Sequence, residues 1–154
     1  MEKLFDISLK NRKILYKFLT ETPREVLLKI PDGYRNNIWW NIAHVVVTQQ
    51  LLVYQKSNLP MRVESELVDK FKKGSIPDGT ATEEEIDKIK GYLFATAEWI
   101  QEDYEKGIFK EFEAYTTTPK VVLNSAEDAI AFNVFHEGIH LGVILSLMKV
   151  LTFK

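Results

Sequence analysis

Four stretches of this chain repeat apolar residues every three or four positions, and that period limits the accessible folds more than any other feature of its 154 residues. The first covers about residues 2–20, with Leu4, Ile7, Ile14, Leu15 and Phe18 on one stripe. The second runs from about Asn36 to Ser57 through Asn37, Trp40, His44, Val47, Leu51 and Tyr54. The third opens on Thr82 and Glu85, the spacing of a capping box, and turns Ile86, Ile89, Leu93, Ala97, Ile100 and Tyr104 inward. The fourth starts at a Ser125–Asp128 cap and continues to about Leu151, with Ala129, Phe132, His136, His140, Val143 and Leu147 in line. Each stripe must be buried against another element, and four of them bury one another as a bundle.

The segments between the stripes fit the same fold. Seven glycines and five prolines are too few for a many-stranded architecture. Thr22-Pro23 and Pro31-Asp32-Gly33 frame a short apolar turn, Val26 to Leu28. The connection over 58–81 holds Pro60, Gly74, Pro77 and Gly79, with Leu67, Val68 and Phe71 to pack it down. Gly107 ends the third helix, and Phe112–Leu123 reads as extended, since the threonines before Pro119 disfavour helix. Both connections are long for a simple up-down bundle, so one of them is expected to be a crossover. The expected fold is all-α, a four-helix bundle in a single domain over 1–154.

Composition removes several function classes. The net charge is -2 and no Lys/Arg cluster stands out, so no nucleic-acid partner is expected. Leu141–Leu151 is too short to span a bilayer, and the first six residues lack the layout of a secretory signal, so no membrane association is expected, and a cytoplasmic location is taken as the default. Without cysteine there is no thiolate ligand and no thiol nucleophile in the protein itself.

The only three histidines all lie on the apolar stripes. His136 and His140, four apart on a helix, project from one face. His44 lies on the stripe of another helix, so a bundle lets all three meet at one metal ion. A histidine on such a stripe is more often a hydrogen-bonded core residue. Three buried together without partners would be costly, and a metal relieves all three. His136-Glu137-Gly138-Ile139-His140 also matches the H-E-x-x-H of zinc peptidases. Those need a third ligand downstream, and Leu141–Lys154 contains no His, Asp or Glu. Glu137 is therefore expected behind the ligands or on the surface. Helix spacing places Asn41 and Thr48 beside His44 and Asn133 beside His136, with Trp40 and Tyr54 as candidate pocket walls.

Two motifs, Asn37-Ile38-Trp39-Trp40-Asn41-Ile42-Ala43-His44 and His136-Glu137-Gly138-Ile139-His140-Leu141-Gly142, resemble the DinB-like family of four-helix metalloproteins, which includes bacterial thiol-dependent S-transferases. The Phe71-Lys72-Lys73-Gly74 stretch, the helix order and the length agree with it. The resemblance implies an up-down-down-up bundle, often a homodimer, with a divalent metal on His44, His136 and His140. Three imidazoles suit several metals, zinc and nickel foremost, and leave the ion an open position, as in catalytic rather than structural zinc. Such an ion activates a thiol or a water. The resemblance favours an enzyme that transfers a low-molecular-weight thiol to an electrophilic small molecule. A hydrolase, or a bundle merely stapled by its metal, are the alternatives. Adjacent Trp39 and Trp40 point about 100° apart, which would leave one of them for a partner surface.

Overall fold

The computed structural model describes residues 1–152. Six helices follow in the order α1 (Glu2–Glu21), α2 (Arg24–Leu28), α3 (Ile38–Gln49), α4 (Ser65–Phe71), α5 (Glu83–Glu105) and α6 (Ala126–Thr152), with a hairpin of β1 (Tyr115–Thr116) and β2 (Val122–Leu123) before the last. The four long helices make the bundle, and their side-chain contacts fix its directions. Phe5 meets Tyr104 and Tyr16 meets Phe94, so α1 and α5 are antiparallel. Trp40 meets His140 and His44 meets His136, so α3 and α6 are antiparallel. Ser8 bonds Glu137 and Thr22 bonds Met148, so α1 and α6 run the same way. The order is up-down-down-up.

α3 is the central helix. Every residue from Ile38 to Val47 is buried, which is what an all-round apolar helix requires. Asn37 caps it by accepting from the Trp40 backbone N–H at 2.8 Å, and its amide donates to the Leu28 carbonyl, which ties α2 to the helix start. The helix does not stop at Gln49. It widens into a π turn over Gln50–Tyr54 and closes in a 3₁₀ turn over Gln55–Ser57. A π turn takes more residues than an α turn, so spacings of three and four cease to return to one face.

Burial revises the expected stripes. Along α1 the buried residues are Phe5, Ser8, Arg12, Leu15 and Leu19, while Ile7 and Ile14 are exposed. Two polar residues hold the inward face, and apolar periodicity alone misplaces it. Trp39 and Trp40 are both buried, so neither is left for a partner. The 58–81 connection contains α4, whose Leu67, Val68 and Phe71 pack down as expected. The capping box at Thr82 and Glu85 forms in full. The extended stretch is a hairpin that pairs Tyr115 with Leu123 and Thr116 with Val122, turning through Lys120 in the left-handed region.

α6 departs from the expectation drawn from Leu141–Leu151: taken whole, it is long and apolar enough by composition to cross a bilayer. Here it packs along α3 and α1. Its buried face includes Asn133 and Glu137, while Phe135, Ile139, Leu145 and Val150 are exposed.

The core has two apolar clusters, one around Ile38–Val47, α4 and the start of α5, the other around Phe5, Leu52–Tyr54, Ile100 and Ile130. Along three of the helices a polar layer separates them: Ser8 and Arg12 on α1, Gln49 and Gln50 at the end of α3, Asn133 and Glu137 on α6.

Candidate metal centre

Each ring of the histidine trio is set by a different element. His44 lies two turns into α3, stacked on Trp40 at 4.4 Å between centroids and 12° between planes. The Trp40 indole N–H donates to Ser75 Oγ at 2.9 Å, which fixes the stacking ring in turn. His44 Nδ1–H donates to the Phe71 carbonyl at 2.6 Å. Phe71 is the last residue of α4, and the last carbonyls of a helix have no intrahelical partner, so this acceptor is free to take the imidazole. With Nδ1 committed, the lone pair of His44 resides on Nε2, 3.2 Å from the Thr48 hydroxyl.

His140 follows the same rule. Its Nδ1–H donates to Asn41 Oδ1 at 2.7 Å, while the Asn41 amide donates to the Asn37 carbonyl and to Asn36 Oδ1. Its Nε2 then faces His136 Nε2 at 3.0 Å. Among the described residues His136 has no orienting partner, and its Nδ1 is buried and unbonded.

The three rings meet. One ligating nitrogen from each lies within 4.8 Å of the others. Tetrahedral coordination at about 2.0–2.1 Å from a zinc ion needs nitrogen separations of about 3.4 Å, so sub-ångström to ångström ring movements complete the set. Electrostatics favour it too. Burial holds His44 below the ordinary imidazole range against its bond to Phe71. It pushes His136 down to about 3, aided by the nearby charges of His44 and Arg12, and His140 to about 2, aided by His136 and His44. At neutral pH all three are uncharged with lone pairs available, the form a metal requires. The donor set fits a divalent ion.

The family is then decided. A family model described as the DinB superfamily matches residues 9–144. The chain belongs to the DinB superfamily. No curated protein matches it. For a DinB-superfamily chain the trio and the bundle agree: the three histidines can hold one metal ion, on the two helices that the sequence motifs mark.

The flanking residues sort less simply. Asn41, Thr48 and Trp40 touch the histidines as their helix spacing predicts. Asn133 does not reach His136; its amide donates to Glu137 Oε1 at 3.0 Å. Glu137 is neither exposed nor behind the ligands. Fully buried, it accepts from Arg12 Nε at 2.8 Å, Ser8 Oγ at 3.0 Å and Asn11 Nδ2 at 3.2 Å. Tyr54 is carried off the site by the π turn, and its hydroxyl donates to Asp103 Oδ2 at 2.7 Å, beside Arg62. Burial and that carboxylate raise its pKa far above the ordinary phenol value.

A cavity of about 650 Å³ adjoins the rings, with His44, His136 and Thr48 in its lining. Leu51, Leu52, Phe132, Phe135 and Ile139 give it apolar walls, and Tyr115, Thr117, Thr118 and Pro119 of the hairpin close one side. Residue types alone miss three contributors: the Phe71 carbonyl, which is backbone; Arg12, whose place on the 5–8–12–15–19 spacing was the available signal; and the hairpin wall, for which the sequence carries no signal.

Proposed function

We propose that this protein is a metal-dependent enzyme that transfers a low-molecular-weight thiol to an electrophilic small molecule, with a divalent ion, zinc or nickel, held by His44, His136 and His140. The observation that carries this reading is the convergence of three neutral imidazoles beside a substrate-sized cavity that two of them, His44 and His136, line. When bound, an ion with three nitrogen ligands supplies an open position at which a thiol loses its proton. The residues of the chain do the rest. Asn41 and the Phe71 carbonyl hold two rings in the tautomer that presents Nε2. Trp40 covers His44 on one side, and the apolar walls exclude water from the thiol and its acceptor.

Hydrolysis at the same site is the second reading. It is less favoured because, among the described residues, no carboxylate lines the cavity and Glu137 is locked to Arg12, so a general base for water is lacking. Thiol transfer brings its own nucleophile, and a small-thiol cosubstrate fits a reducing, cytoplasmic setting. We propose further a homodimer built on the exposed apolar residues of α6, for which light scattering would read twice 17.9 kDa.

The test is metal analysis of the purified protein followed by titration of a small thiol into a cobalt- or nickel-substituted sample. About one equivalent of metal, a thiol-dependent charge-transfer band, and loss of both in His140→Ala support transfer. A metal-loaded sample that gives no band and turns over no thiol overturns transfer and leaves hydrolysis or the stapling role; a large fall in stability on chelation, with no hydrolytic turnover, marks the latter.

A further inference from the structure

We propose that the cavity beside the histidines selects a small molecule with an apolar body and a carboxylate, and that Lys73 reads the carboxylate. The inference rests on the cavity being the substrate site and names the chemistry of what enters it.

Shape and lining set the apolar part. A volume of about 650 Å³ lies within the range of small-molecule sites, and Leu51, Phe132 and Ile139 offer no hydrogen bonds. Charge sets the other end. Among the described residues the lining contains two ammonium groups, Lys56 and Lys73, and no carboxylate. Lys56 is already neutralised: Glu113 Oε2 lies 3.1 Å from its Nζ, and it sits over the Tyr115 ring. Lys73 is not. Its Nζ donates to the Thr118 hydroxyl at 2.8 Å, and among the described residues no carboxylate pairs with it. An ammonium has three protons to donate, and a neutral hydroxyl uses one without compensating the charge.

Lys73 is also placed to measure distance from the metal ligands. It follows Phe71, the residue whose carbonyl holds His44, by two positions, and its bond to Thr118 ties that segment to the hairpin wall. A molecule bound by its carboxylate at Lys73 therefore shares its cavity with His44 and His136 and lies against the apolar walls. A neutral or cationic molecule of the same shape gains nothing there.

The test uses metal-free protein, so it does not depend on turnover. Octanoate and octanamide, alike in shape and differing in charge, are titrated calorimetrically into the wild type, Lys73→Met and Lys73→Arg. Octanoate is expected to bind about fivefold more tightly than octanamide, the upper range for a partly exposed ion pair. The preference should vanish in Lys73→Met and survive in Lys73→Arg, with both variants folded because the lysine is exposed. Equal affinities in the wild type, no binding of either, or an unchanged preference in Lys73→Met would overturn the proposal. Protein purified without metal would sink the transfer reading yet leave this result readable.

Discussion

His136 and Glu137 are neighbours on α6, about 100° apart around the helix, and they serve opposite ends. The carboxylate of Glu137 is closed. Four side chains donate to it, three of them to Oε1, and neither it nor Arg12 reaches solvent. The imidazole of His136 is open, with one nitrogen unbonded and the other aimed at a second histidine beside a cavity. A buried charge is tolerable only when fully paired, whereas a buried neutral lone pair can wait for a ligand. The contrast shows why the H-E-x-x-H string misleads here: the same letters sit on a helix whose glutamate face turns towards α1 rather than to the ligands.

The contrast can be broken from either side. The largest effect is expected for Glu137→Gln, which leaves Arg12 charged and unpaired; urea unfolding should show a loss of about 3–5 kcal/mol, much of it restored by adding Arg12→Met. A loss under about 1 kcal/mol would mean that water reaches Arg12. On the open side, His44→Ala should reduce the metal content of purified protein to trace levels while the metal-free variant stays folded, read by elemental analysis beside circular dichroism. Asn41→Ala should weaken metal binding about 10–100-fold in a chelator competition, because His140 loses the group that orients it. The smallest effect belongs to Thr48→Val. Its hydroxyl lies nearest Nε2 of His44, the nitrogen that the ion would take from it, and the Nδ1–H is already held by Phe71, so metal affinity should stay within about threefold, and a larger drop would make Thr48 part of the ligand support.

The parts legible in the sequence share one physical cause. Helix lengths and the Thr82–Glu85 box follow from local period and capping, which act within a turn or two, and the same period puts His44, His136 and His140 on the faces that the bundle brings together. What was not legible is non-local or not a matter of residue type. Arg12 and Glu137 are 125 residues apart, and each alone reads as a solvated charge. Their presence moves the inward face of α1 from Ile7 and Ile14 to Ser8 and Arg12. Tyr54 was misplaced because nothing in Gln50–Tyr54 announces a π turn. Asn133 lies on the right face but finds a carboxylate before it finds a ring.

The hairpin after α5 carries a last consequence. The nitrogens come from two long helices clamped in the bundle core, whereas one wall of the chamber they face comes from Tyr115 to Pro119, held by two ladder pairs and a threonine turn. Grip and taste are thus written in separate stretches of chain. Replacing that short surface segment would change which molecules are admitted and leave the chelating hardware intact.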